Sequence, residues 1–442
     1  MNRLLPRRFA TIWLLLPWIL VANIAIFLAP SPADATTVNC HARPHAGIDL
    51  AGCNLRARNL DGANLASANL KGANLDGSEL VDANLKNSNL QDAHLSLTDL
   101  SGSRLNGANL SNVTSGSVIG DPVLPAHWQL IAGYLVGPRA NLNDATLVAA
   151  NLSGADLFDA KMVKANLTGV ESGSITGSPN LPPGWKLVDG YLIGPEANLR
   201  NAVLNNANLS LLDVQGADFT DASLADANMP GANATNAIFT GTNLAGARLN
   251  GATLSGVTSG FVLGAPVLPT SWLLVNGYLV GSGANLTNAN FTNANLYGAD
   301  LVSANLSGAQ LTGVSSGSIQ GQYSATLPAD WYIKNGYLFG PGANLAGANL
   351  AGTGSIDSNL EGANLSGANL SAVGWDDVNL TDDNLSDANL TGANINASPM
   401  TDVNLDGANL TDADFSVSNM STVITNDSTI CPNGEVGPCA NL

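Results

Sequence analysis

The stretch DGANLASANLKGANL, residues 61–75, repeats one five-residue phrase three times, each with alanine two places before leucine. On an α-helix Ala63 and Leu65 would lie about 200° apart, and successive leucines would advance by about 500°, scattering the apolar residues around every face. In a straight strand Ala63 and Leu65 share a face, but Leu70 is an odd number of residues further on and points the other way. Both conflicts disappear if the chain turns a corner once per phrase, because the corner restores the parity and aims every Ala and Leu at one axis. Four right-angle corners close a square in about 20 residues, and stacked squares satisfy the backbone by parallel pairing at about 4.8 Å per coil.

The expected interior is therefore Leu65, Leu70 and Leu75 with Ala63, Ala68 and Ala73 beside them, while Gly, Ser, Asp and Asn elsewhere tolerate tight turns and water. Leucine-position residues at five-residue steps form blocks of 13 (Leu50 to Leu110), 6 (Leu142 to Leu167), 12 (Leu199 to Leu254), 6 (Leu286 to Leu311) and 16 (Leu345 to Met420). They amount to about 13 coils, a rod of about 60 Å before the intervening segments are counted. The 442 residues are 45% hydrophobic but only 11% charged and 5% aromatic, enough apolar matter for a large core without the usual Lys and Glu surface. A short internal period predicts one long domain, since repeat proteins grow along one axis rather than by adding cores.

These A-N/D-L-x-x phrases resemble the pentapeptide repeat family over most of residues 47–420. The resemblance implies an all-β chain wound as a right-handed quadrilateral β-helix, with the central residue of each phrase and the residue two before it inside the coil, the assignment that parity also reaches. Trp375, Ala234 and the Gly354-Ser355-Ile356 stretch depart from the phrase, so local irregularity is expected there.

Four similar inserts interrupt the period at about 113–140, 170–197, 257–284 and 314–343, each with a Leu-Pro, then a Trp, then Gly-Tyr-Leu. In the second, Trp185-Lys186-Leu187-Val188, Asp189-Gly190 and Tyr191-Leu192-Ile193 read as a β-hairpin, Asp-Gly supplying the positive φ of a type I′ turn. Asn276-Gly277 and Asn335-Gly336 fit equally well, and Ala132-Gly133 fits least. The central block exceeds its neighbours by six phrases, one and a half turns of a four-sided coil, so equivalent inserts do not all project from one face.

Each insert brings a Trp and a Tyr at matching places: Trp128 and Tyr134, Trp185 and Tyr191, Trp272 and Tyr278, Trp331 and Tyr337. They read either as aromatic platforms for sugars or partner proteins, or as packing of the hairpin onto the coil wall. The second is preferred. Leu-Pro before each Trp reads as a rigid corner.

Residues 1–35 read as a signal peptide: Arg3, Arg7 and Arg8 precede an apolar run from Phe9 to Ala29, and Ala33-Asp34-Ala35 offers a cleavage site. The other reading is an uncleaved anchor, although Pro17 and Asn23 weaken it. Cys40 and Cys53 flank the start of the repeats and Cys431 and Cys439 follow their end, an even count that in an exported chain reads as one disulfide in each end cap, residues 36–54 and 421–442. A 13-residue loop closed by Cys40 and Cys53 would contribute about 3 kcal/mol on the chain-entropy estimate. The metal alternative, Cys40 with His41 and His45, lacks a second cluster of zinc spacing.

Without residues 1–35 the chain carries 13 Lys and Arg against 33 Asp and Glu, and from Leu249 onward Lys334 faces fifteen carboxylates. Such acidity argues against a phosphate-binding face in this C-terminal part, and solubility is its plainer role. The pairs Asp376-Asp377 and Asp382-Asp383 are expected as solvated outward carboxylates rather than a cation site. His41, His45, His94 and His127 sit in unrelated contexts, and no constellation for catalysis or for a cofactor is present.

The expectation is an exported, non-enzymatic β-helical rod, secreted, periplasmic or in a thylakoid lumen, that serves as a structural or protein-interaction scaffold. Its protein partner is not specified by the sequence. No nucleic acid is expected, nor membrane contact beyond the N-terminal segment, while exposed coil ends suggest end-to-end homodimers. Two alternatives remain: a DNA-mimic inhibitor of a topoisomerase such as gyrase, which the resemblance implies for an acidic rod, and an adhesin or glycan binder using the Trp and Tyr inserts.

Overall fold

The computed structural model describes residues 38–354, 358–420 and 422–439; the expected signal segment and Ser355-Ile356 lie outside the described residues. All regular elements among the described residues are β, and no helix there is long and apolar enough to cross a membrane.

The repeating unit is short enough to follow bond by bond. The Asn69 N–H donates to the Ile48 carbonyl and the Leu50 N–H to the Asn69 carbonyl, both at 2.8 Å, so the residue before each leucine bridges in parallel to its equivalent 20 residues away. After each leucine the chain turns: the Ala73 N–H donates to the Leu70 carbonyl at 3.0 Å, and Gly72 between them has φ +64°. One positive φ at the third residue is the demand of a type II turn, which explains why Gly, Asn, Asp and Ser crowd that place. Leu65, Leu70, Leu75, Ala68 and Ala73 are fully buried, while Ala63, near the start of the stack, is half-buried. Phe219 and Phe239, 20 residues apart in leucine positions, stack at 5.2 Å with planes 5° apart, marking one step of the solenoid. The chain is thus a β-helix whose coils stack through parallel ladders.

Asn and Asp before the leucines do more than face water. Asp49 Oδ1 accepts the Ala51 N–H at 3.1 Å, closing the corner, and also accepts from Asn69 Nδ2 at 2.9 Å in the next coil. The ladder Asn344, Asn364, Asn384 repeats the inter-coil bond at 3.2 and 3.4 Å. Corner and stack are therefore tied by the same side chain, a coupling of the kind that Asx residues provide in turns.

Among the described residues twelve three-residue strands stand out from the bridges. In chain order they are β1 (His94–Ser96), β2 (Thr114–Gly116), β3 (Gln129–Ile131), β4 (Tyr134–Val136), β5 (Lys186–Val188), β6 (Tyr191–Ile193), β7 (Leu273–Val275), β8 (Tyr278–Val280), β9 (Tyr332–Lys334), β10 (Tyr337–Phe339), β11 (Gly374–Asp376) and β12 (Asn394–Asn396). β1–β2 and β11–β12 pair in parallel within the coil, whereas β3–β4, β5–β6, β7–β8 and β9–β10 are antiparallel hairpins. Both turn residues have positive φ in every hairpin, including Ala132 at +47° and Gly133 at +79°.

The hairpins divide the core into five. Leu135 belongs to the core that begins at Ile48 while its neighbour Val136 belongs to the next, and Leu192/Ile193, Leu279/Val280 and Leu338/Phe339 repeat the change. Successive strand side chains point to opposite faces, so β4, β6, β8 and β10 each form a plate between two cores. Among the described residues one ladder bridge crosses each plate: Thr114–Asn141, Glu171–Asn198, Thr258–Asn285 and Ser315–Asn344. In five-residue steps, the ladder crossing the second and third plates lies two sides away from the one crossing the first and fourth.

Both ends are closed covalently. Cys40–Cys53 and Cys431–Cys439 are disulfides with Cα separations of 5.3 and 5.6 Å. Arg58 donates to the Cys40 carbonyl at 3.1 Å, and ladder bridges Asn404–Ile424 and Asn409–Ile430 continue beyond residue 420.

Candidate functional site

The four joints are where the chain departs from its period, and they gather the eight aromatic residues that the sequence singles out. Each Trp begins its hairpin through a turn closed on proline: the N–H groups of Trp128, Trp185, Trp272 and Trp331 donate to the carbonyls of Pro125, Pro182, Pro269 and Pro328 at 3.1–3.3 Å. Each indole then covers the glycine that follows the second strand. A Cβ on Gly137, Gly194, Gly281 or Gly340 would come within 2.2–2.4 Å of the indole Cδ2, so no other residue fits without moving the ring. All eight aromatics are half-buried.

The tyrosines use their polar ends. Tyr134, Tyr191, Tyr278 and Tyr337 accept the N–H groups of Thr146, Val203, Asn290 and Asn349 at 2.9, 3.1, 3.2 and 3.2 Å. Those amides stand in ladder positions with no coil beneath to pair them, because the plate intervenes. A phenol oxygen takes the place of the missing carbonyl and keeps the ladder amide paired, although the residues that carry these amides are exposed. The ring beneath packs on Gly116, Gly173, Gly260 or Gly317 in the preceding coil.

A second set of joint residues was not singled out from the sequence. Ser115, Ser172, Ser259 and Ser316 each accept the N–H of the plate leucine, Leu135, Leu192, Leu279 or Leu338, at 2.9 Å. The signal for them was present, since Ser-Gly heads every insert. What conceals their role is that a serine in a Gly-rich turn looks the same whether it bonds water or a buried amide.

The fourth joint is different. Tyr332 replaces the Gln129, Lys186 and Leu273 of the other hairpins, stacks on its cross-strand partner Phe339 at 5.2 Å and bonds Ser358 Oγ at 2.5 Å. Phe339 meets the edge of the buried Trp375 at 6.4 Å, and the Trp375 indole N–H donates to Thr353 Oγ1 at 3.1 Å. Burial raises the pKa of the Tyr332 phenol. Beside it opens a cleft of about 380 Å³ lined by Asp330, Trp331, Tyr332, Ser358, Asn359, Asp377 and Asn379.

The expectation that both Asp-Asp pairs face water needs correction. Asp376, Asp377 and Asp382 are exposed, but Asp383 is 1% exposed. It stands two places before Leu385, where the coil usually has alanine, so parity turns it inward. Asp383 Oδ1 accepts the Ala363 N–H at 2.8 Å, while Oδ2 is buried without a hydrogen-bond partner. Loss of hydration pushes this carboxyl up to about 9, against the backbone bonds that favour its charged form. No group of three His, Cys, Asp or Glu residues is arranged to hold a metal ion among the described residues.

A model of the family described as Pentapeptide repeats matches in eight copies, over residues 48–87, 78–114, 139–171, 195–221, 217–256, 282–315, 342–373 and 384–421. The chain belongs to the pentapeptide repeat family. The hairpins lie in the stretches that the copies leave out. No curated protein matches. Solved structures similar to this pentapeptide repeat chain include HetL, involved in heterocyst differentiation regulation in the cyanobacterium Nostoc, at 16% identity over 87% of this chain and 93% of HetL, TM-score 0.15. Another is a pentapeptide repeat protein of the Arabidopsis thaliana thylakoid lumen, at 22% identity over 29% of this chain and 71% of that one, TM-score 0.15. A third is QnrB1, a plasmid-mediated fluoroquinolone resistance protein, at 14% identity over 61% of this chain and 90% of that one, TM-score 0.13.

Proposed function

We propose that this protein is an exported, non-enzymatic rod that holds or spaces protein partners, wound as a right-handed quadrilateral β-helix with four hairpin inserts. The observation that carries the reading is the pair of disulfides at opposite ends of one laddered stack. Disulfides persist in oxidising compartments, which agrees with residues 1–35 acting as a signal peptide and with secretion or a periplasmic or lumenal destination. On this reading residues 36–54 and 421–442 are caps that protect the terminal coils, where unpaired strand edges would otherwise recruit other chains.

The Trp and Tyr of the inserts are read as fasteners of the joints rather than glycan platforms, because the phenol oxygens and one face of each indole are already engaged within the chain. Rigidity then follows from the same bonds: each joint, crossed by one ladder among the described residues, is reinforced by a plate, a Tyr bond and a Ser bond.

The test is fractionation of the native host with an antibody to the mature chain, reading location and mass together. Recovery outside the cytoplasm at a mass about 35 residues below the full chain, cross-linked to envelope or extracellular proteins, is the expected result. Full-length protein in the cytoplasm would overturn the export reading and favour the gyrase alternative.

A further inference from the structure

The cleft at the fourth joint sets the shared tryptophan, Trp331, beside Asp330 and Tyr332, where the other joints have His127, Gly184 or Ser271 and Gln129, Lys186 or Leu273, and its chemistry points to one class of ligand. Trp331 and Tyr332 are among its lining residues; Asp330 and Asp377 are exposed at its margin, and Ser358, Asn359 and Asn379 supply a hydroxyl and two amides. Neither aspartate forms an ion pair among the described residues. Lys334, the one cation beyond Leu249 in the sequence, donates through Nζ to the Gly354 carbonyl at 3.4 Å. The cleft therefore joins aromatic surface to uncompensated negative charge in the most acidic part of the chain.

We propose that this cleft binds the guanidinium of an arginine side chain carried by a basic partner protein. The inference rests on the protein-interaction reading and adds the partner's chemistry to it. A guanidinium is planar and weakly hydrated, so it stacks on indole or phenol at small desolvation cost while its N–H fork bonds carboxylates and amide oxygens. An ammonium has the charge without the flat face, and a neutral sugar could hydrogen-bond the carboxylates but would leave their charge uncompensated. Tyr332 is fixed in place for such stacking, because Phe339 supports one face of its ring and Ser358 anchors its hydroxyl.

Calorimetric titration of the full chain with an acetylated, amidated Gly-Arg repeat hexapeptide tests this, with the same peptide carrying citrulline for arginine as the uncharged isostere. Affinity for the arginine peptide is expected to exceed that for the citrulline peptide by about tenfold or more. Two variants should each lower it about fivefold or more: Asp330→Asn with Asp377→Asn, and Tyr332→Leu. Both preserve the fold, because the aspartates are exposed and the third hairpin already has leucine, Leu273, at the Tyr332 place. Asp402→Asn with Asp412→Asn removes equal charge from exposed sites outside the cleft and should leave affinity nearly unchanged. Equal binding of the citrulline peptide, or an equal loss in the Asp402/Asp412 variant, would overturn the proposal. A failure here leaves the scaffold reading standing, since that reading falls on the fractionation result instead.

Discussion

The ring-fusion atoms of Trp185 lie over the α-carbon of Gly194, where a Cβ would come within 2.3 Å of Cδ2, 2.6 Å of Cε2 and 2.7 Å of Cε3. An alanine at 194 must therefore expel the indole or shift the strand behind it. Gly194→Ala is expected to cost roughly 1–3 kcal/mol, the range for overpacking a closed contact. Denaturation followed by tryptophan fluorescence checks this, with Gly374→Ala as the control, since Gly374 like Gly194 has no positive φ and an added Cβ there meets nothing within 4 Å.

Tyr191→Phe keeps the ring on Gly173 and removes only the acceptor for the Val203 N–H. Leaving that amide unpaired should cost about 1–2 kcal/mol and speed its hydrogen exchange about tenfold or more. Unchanged exchange at Val203 would mean that water replaces the phenol at no cost, and the joint would not depend on tyrosine.

Ala132 is the one residue in the four hairpin turns that takes φ near +47° without a glycine or an Asx side chain. Left-handed backbone costs an ordinary residue about 1–2 kcal/mol, and asparagine bears it better. Ala132→Asn should accordingly stabilise the first hairpin by about 0.5–1 kcal/mol, read as a higher melting midpoint, while Asn276→Ala in the third hairpin should lower it by a similar amount.

Asp383 gives the solenoid a pH dependence of unusual sign. Its folded pKa, raised to about 9 from an ordinary value of 3.8, means that between these limits the folded chain holds a proton that the unfolded chain has released. The contribution of Asp383 is therefore fully present at or below the ordinary carboxylate range and is lost as pH rises towards 9. Asp99, Asp218 and Asp414 are lowered instead, so their contribution disappears only in stronger acid. Asp383→Ala, which restores the residue usual at that position, should raise stability at neutral pH by roughly 1–3 kcal/mol and flatten the slope from pH 5 to about pH 9, measured by melting across that range.

Much of this could be read without coordinates. A period of five fixed the parity of Leu65, Leu70, Ala68 and Ala73, and the same rule, carried on to Leu385, also turns Asp383 inward, against the expectation that both Asp-Asp pairs are solvated. The turn pairs Asp189-Gly190, Asn276-Gly277 and Asn335-Gly336 were legible because a type I′ turn needs two positive φ values that few residues accept. Cysteine pairing at each end followed from proximity along the chain.

What the sequence determined by itself is the coil, because every phrase repeats the same local demands of corner, inward side chain and bridging residue, and local demands are written locally. What only the tertiary structure decided is the joints: that Tyr191 caps the amide of Val203, that Ser172 holds Leu192, and that Leu192 and Ile193 face different cores. Those contacts join the hairpin to the coils before and after it, so their partners depend on how the stack resumes across the plate. A side chain that can bond or stack in several directions takes its role from whichever neighbour the stack brings within reach.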